Sequence, residues 1–142
     1  MPVVIASAAL GDDEFLAALD AYSLPLSAFR HGDHLRLAWL HLHRQSFEDA
    51  LASTRSSIQK YAAYHGVPHI FHETLTTAWV KLLSTHNEDS FTEFIRIHES
   101  RLNRDLLHRF WTPSALDSPI AKSAWLPPDK DPLPTVPALV DP

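Results

Sequence analysis

The chain has 142 residues, a formal charge of -5 and a pI near 6.0. Its 17 acidic against 12 basic residues give no overall field for holding a polyanion, so nucleic acid is excluded as an expected partner. The absence of cysteine removes disulfides, thiolate metal sites and a cysteine nucleophile together, and a 45% apolar, 20% charged composition describes a globular protein.

The apolar opening from Pro2 to Leu10 is far short of the ~20 residues of a spanning helix, and no basic residue precedes it. The expectation is a soluble cytoplasmic protein without membrane contact. Gly11 then precedes Asp12-Asp13-Glu14, an acidic start suited to the positive end of a helix dipole, with Phe15, Leu16 and Leu19 repeating at helical spacing. A second helix is expected over Asp33–Arg44 and a third over Phe47–His65, which Gly66 closes as a left-handed cap. A fourth runs from about His69 to Thr85. Ser90 and Glu93 form a capping-box pattern ahead of Phe91, Phe94, Ile95 and Leu102. Asp105–Trp111 reads as a short helix, and Ser118-Pro119 as an N-cap followed by a first helical residue.

Of the 11 prolines, eight lie at or beyond Pro113, so the chain changes there from helical to extended. Trp125-Leu126-Pro127-Pro128 and Asp131-Pro132-Leu133-Pro134 alternate apolar anchors with prolines, a stiff pattern suited to docking. The expected architecture is all-α: one domain over 1–142, a single compact bundle of six or seven helices. Residues 12–111 form the bundle, and 112–142 a short helix plus a docked Pro-rich tail.

Two helices carry the chemistry. In Asp33–Arg44, Leu35, Ala38, Trp39 and Leu42 form one apolar arc while Leu37 and Leu40 fall outside it. A helix apolar on two sides is central. His34 and His41 lie along the edge of the arc, and Arg36, His43 and Arg44 on the wetter side. In the fourth helix, Phe71, Leu75, Ala78, Trp79, Leu82 and Leu83 define the buried arc, which also contains His72, with Thr76 a turn further on and Glu73 flanking.

Buried imidazoles and hydroxyls need partners. The sequence expectation is that the two helices pack together, so that Asp33, His34, His72, Glu73 and Thr76 form a catalytic cluster. Trp39, His41, His69, Trp79 and Trp125 would line its pocket, which would take a small-molecule ligand. HETLT departs from the zinc-protease pattern HExxH because Thr76 stands where the second histidine is required, and no Glu is followed by His three residues later. A divalent metal, zinc or iron, can still be held by His34, His72 and Glu73. Without a metal, a histidine paired with a carboxylate serves as general acid or base. From a different class, the same residues can be structural, Asp33 as a helix cap and Thr76 bonded one turn back, in a non-catalytic binding or interaction module. His43, His65, His86, His98 and His108 are assigned ordinary surface or cap roles, and a homodimer is compatible with a small bundle.

The segments HGDHLRLAWLHL, HETLTTAW and SPIAKSAWLPPD together resemble a group of small bacterial hypothetical proteins with a DHLRLAW-type helix and a HETLT-type helix. The resemblance covers about Phe29 to Pro134. It implies a helical fold to which the tail belongs, and it carries no activity or cofactor onto these residues.

Overall fold

A computed structural model describes residues 3–137, which are helical or irregular, with no strand among the described residues. The described residues divide into two compact units, 4–71 and 72–137 with Val3. None of their helices is long and apolar enough to cross a membrane.

The first unit contains α1 (Asp12–Asp20), α2 (His31–Leu42) and α3 (Phe47–Tyr64), with 3-10 turns at Leu26–Ala28 and Pro68–Ile70. Gly11 caps α1, whose first turn carries Asp12, Asp13 and Glu14. Two bonds close α1, from Tyr22 N–H to the Leu19 carbonyl and from Ser23 N–H to the Ala18 carbonyl, which places Tyr22 in the left-handed region at φ 59°. That conformation disfavours a side chain, and here the Tyr22 ring stacks on Tyr64 at 4.6 Å. Gly66 closes α3 in the same way at φ 74°, with Gly66 N–H bonded to the Ala63 carbonyl and Val67 N–H to the Ala62 carbonyl. Helices α1 and α2 both lie against α3.

Helix α2 starts at His31, so Gly32 is inside it rather than before it. Arg30 takes the cap position, and Asp33, the third helical residue, accepts its backbone N–H at 3.0 Å. Leu35, Leu37, Ala38, Trp39 and Leu40 are all buried, which is the two-sided apolar helix expected from the wheel. Arg36 corrects that wheel, because it is buried rather than on the wetter side.

The second unit contains α4 (Glu73–Leu83), α5 (Phe91–His98), 3-10 helices at Glu99–Arg101 and Arg104–Arg109, α6 (Pro113–Leu116) and α7 (Pro119–Ser123). Ser90, Thr112 and Ser118 cap α5, α6 and α7 by accepting the N–H groups of Glu93, Ala115 and Ala121. The short helix expected over Asp105–Trp111 is the 3-10 helix Arg104–Arg109. Helix α4 begins at Glu73 rather than His69, because His72 is extended (φ −131°, ψ 110°) and caps it. Helices α4 and α6 lie against α7.

Segment 124–130 makes several bonds within this unit. Buried Thr74 donates its hydroxyl to the Ala124 carbonyl at 2.8 Å and accepts Leu126 N–H at 3.0 Å. Trp111 Nε1–H donates to the Leu126 carbonyl at 2.9 Å, and Lys130 N–H to the Phe110 carbonyl at 2.9 Å. Both carboxylate oxygens of Asp129 accept from Thr112, from its N–H at 2.8 Å and its hydroxyl at 2.7 Å. Residues 138–142 of the Pro-rich tail lie outside the described residues.

Candidate functional site

Asp33 and His34 belong to the first unit; His72, Glu73 and Thr76 belong to the second. Each has partners inside its own unit. Asp33 is fully buried and its carboxylate accepts from four groups: Ser7 N–H at 2.7 Å, the Ser7 hydroxyl, Ala6 N–H at 3.2 Å and Arg30 N–H at 3.0 Å. Four acceptor sites are about the capacity of one carboxylate. The guanidinium of Arg36 completes the network. Nη1 donates to the Ser7 carbonyl at 2.8 Å, and Nη2 to the Leu10 carbonyl at 2.7 Å and to Asp12 at 3.0 Å. Its flat face sits 4.7 Å from the centre of the Phe15 ring. These bonds fasten residues 6–12 across the face of α2 that carries Arg36, so the residue is buried without an orphaned charge.

His34 is partly buried and its ring lies 4.2 Å from that of Phe29. Burial, aided by the neighbouring His31 and opposed by Asp33, pushes its pKa down from 6.5 to about 4. The imidazole is therefore neutral in the native state near neutral pH. Because the folded pKa lies below the unfolded one, the unfolded chain binds the extra proton in the window between them. Stability attributable to His34 is complete above about pH 6.5 and falls as pH drops toward 4, by up to about 3 kcal/mol. His34→Gln is expected to remove this component. Urea unfolding of both proteins near pH 7 and near pH 4 measures it, and equal acid losses in the two would contradict it.

Trp39 is buried and stacks on His43 at 4.1 Å, while His43 Nδ1–H donates to the Trp39 carbonyl at 2.9 Å. The His41 ring has its Nδ1 2.9 Å from Gln45 Nε2. The Gln45 carbonyl oxygen accepts the Ser53 hydroxyl at 3.0 Å, which orients the amide so that its NH₂ donates to His41. The remaining proton of a neutral ring then sits on Nε2, which is buried with no hydrogen-bond partner. Burial lowers the His41 pKa, with Asp20 opposing and Arg44 reinforcing. His69 is exposed on its 3-10 turn.

His72 uses both ring nitrogens on backbone. Its Nδ1 accepts Leu75 N–H at 3.0 Å, capping α4, so Nε2 carries the proton and donates it to the Leu116 carbonyl at 2.8 Å. Burial lowers its pKa, opposed by the Leu116 bond and reinforced by Arg104 and Lys122. Neither nitrogen has a free lone pair for a metal or a substrate proton in this arrangement. Glu73 accepts the Thr77 hydroxyl at 2.9 Å. Thr76 is half-buried and donates its backbone N–H to the His72 carbonyl at 3.1 Å. The buried threonines of α4 are Thr74 and Thr77, which the wheel did not single out. Trp79 is buried; Trp125 is half-buried, edge-on to Trp111 at 5.6 Å and 5.2 Å from Lys81 Nζ.

A second set of polar side chains meets between α4 and α5. His86 and His98 are buried, and half-buried Glu88 lies between them. Glu88 Oε2 is 2.7 Å from His98 Nε2, and Glu88 Oε1 is 3.4 Å from His86 Nδ1. The two imidazole rings are 4.8 Å apart and nearly perpendicular, with Phe94 against both. Burial pushes Glu88 up, but the His98 bond and the two rings outweigh it and leave the carboxyl below its ordinary range. Sequence reading left His86 and His98 without a role. The signal available to it was His86 two residues before Glu88, with His98 on the Phe91–Phe94 face of α5. No protein-family model matches the chain, and neither a characterised protein nor a solved structure is similar to it.

Proposed function

We propose that this protein is a non-catalytic helical binding module, in which Asp33, His34, His72, Glu73 and Thr76 fix helix starts and register instead of acting on a substrate. The observation that carries the reading is His72, whose two nitrogens cap α4 and bond the Leu116 carbonyl. A general base needs a lone pair within reach of substrate, and a metal ligand needs one aimed at the ion. Support comes also from Asp33, whose oxygens all serve backbone and Ser7 donors. On this reading segment 124–130 is a docked strap of the second unit, held by Thr74 and Trp111.

Chemical denaturation of two His72 variants tests it. His72→Ala loses the cap and the Leu116 bond, about 1 kcal/mol each, and is expected to lower stability by about 2 kcal/mol. His72→Asn restores a good cap without the reach to Leu116, and is expected to recover about half. A His72→Ala protein as stable as the parent would overturn the architectural role.

A further inference from the structure

We infer that His86, Glu88 and His98 form a binding site for one divalent transition-metal ion of the zinc class. The inference is separate from the roles proposed for His34 and His72. His86 and Glu88 lie in the connection between α4 and α5, and His98 is the last residue of α5. Their ligand atoms all lie within 4.8 Å of one another.

The geometry favours an ion over a purely hydrogen-bonded triad. A triad of two neutral imidazoles and one carboxylate is satisfied when each ring donates to one oxygen. His98 does so at 2.7 Å. His86 does not close to that length: its Nδ1 stands 3.4 Å from the carboxylate, and its Nε2 has no partner. The Nδ1 contact is long for a hydrogen bond to a carboxylate, which leaves the buried ring weakly held. Bonds of about 2.0–2.2 Å to nitrogen and oxygen put neighbouring ligands of a tetrahedral centre about 3.4 Å apart. The His86 Nδ1–Glu88 Oε1 separation already has that length; His98 Nε2 lies 2.7 Å from the other oxygen, Oε2, so the carboxylate must turn to set one oxygen between both rings. Nε2 of His86 has no partner among the described residues, and with Nδ1 on an ion it carries the ring proton.

The donor set fixes the class. Two imidazole nitrogens and one carboxylate oxygen suit Zn(II), and its spectroscopic substitute Co(II), over Mg(II) or Ca(II), which require oxygen ligands. The carboxylate supplies the negative charge that a buried dication needs, and three protein ligands leave the fourth position of a tetrahedral centre to water. An ion there would tie the α4–α5 connection to the end of α5, so occupancy would raise resistance to unfolding.

The test uses the full chain, stripped with a chelator and titrated with Co(II) alone and, separately, Zn(II) alone. The expected result is one equivalent of Co(II) with the visible absorption of a four-coordinate centre, displaced by Zn(II), and a rise in Tm with Zn(II). Glu88→Gln keeps the size of the side chain while removing the anionic ligand, and is expected to weaken binding by at least about tenfold. His43→Ala/His69→Ala removes two exposed imidazoles and is expected to bind as the parent does. The inference is overturned if the parent shows no four-coordinate Co(II) spectrum. It is overturned equally if Glu88→Gln binds like the parent, or if the His43/His69 variant abolishes binding. The parent titration decides even if a variant fails to fold.

Discussion

Asp33→Ala is expected to be the most damaging single substitution in the first unit, lowering stability by about 3–5 kcal/mol. The change removes one carboxylate but orphans four donors: the N–H groups of Ala6, Ser7 and Arg30, and the Ser7 hydroxyl. It also loosens Ser7, whose carbonyl and hydroxyl accept from the buried Arg36 guanidinium at 2.8 and 3.1 Å. Asp33→Asn preserves shape but turns an NH₂ toward groups that are themselves donors, so it is expected to recover little. Equilibrium denaturation of both variants is the measurement. A loss below about 1 kcal/mol for Asp33→Ala would mean that residues 6–12 are not fastened to α2 through this carboxylate.

Trp111→Ala is the counterpart in the second unit, with an expected loss of about 3–5 kcal/mol. The ring is fully buried, packs edge-on to Trp125, and donates its Nε1–H to the Leu126 carbonyl. Its removal takes away both the packing and one of the bonds on segment 124–130. Trypsin cleavage at exposed Lys130 is therefore expected to accelerate at temperatures where the helices persist, while Trp111→Phe, which keeps most of the ring, is expected to be intermediate. Equal cleavage rates in parent and Trp111→Ala would show that the segment is held independently of this side chain.

The parts of the fold legible in the sequence are those decided within four residues. Ser90 and Ser118 cap their helices as read, Pro119 opens α7, and Gly66 takes the left-handed position after α3, because each depends on local hydrogen bonding and local sterics. The misplaced features depend on distant chain. Arg36 falls on the polar side of any wheel, and its burial comes from partners 24 to 29 residues away. His72 fits the apolar arc of a helix starting at His69, yet it ends up as a cap. An imidazole is an uncommon cap, and its second bond goes to Leu116, 44 residues on. Thr74 was missed for the same reason, since its hydroxyl answers Ala124 and Leu126. His86 and His98 were passed over because ten histidines in one chain make any single one unremarkable without the carboxylate between them.

These corrections share a physical cause. Periodicity reports which side of a helix faces away from water, but not what polar atoms meet there. Asp33 and His72 bond to backbone in their own units, Glu73 accepts from the Thr77 hydroxyl, and a different pair of imidazoles shares a carboxylate.

The most direct test is the protonation state of the His72 ring, read by nitrogen-15 NMR of imidazole-labelled protein across neutral and mildly acidic pH. The expected result is a neutral ring with its proton on Nε2, titrating below the ordinary histidine value because burial lowers it. A ring with its proton on Nδ1, or one that titrates at or above the ordinary value, would contradict the capping role and return His72 to the pool of groups free to act on a ligand.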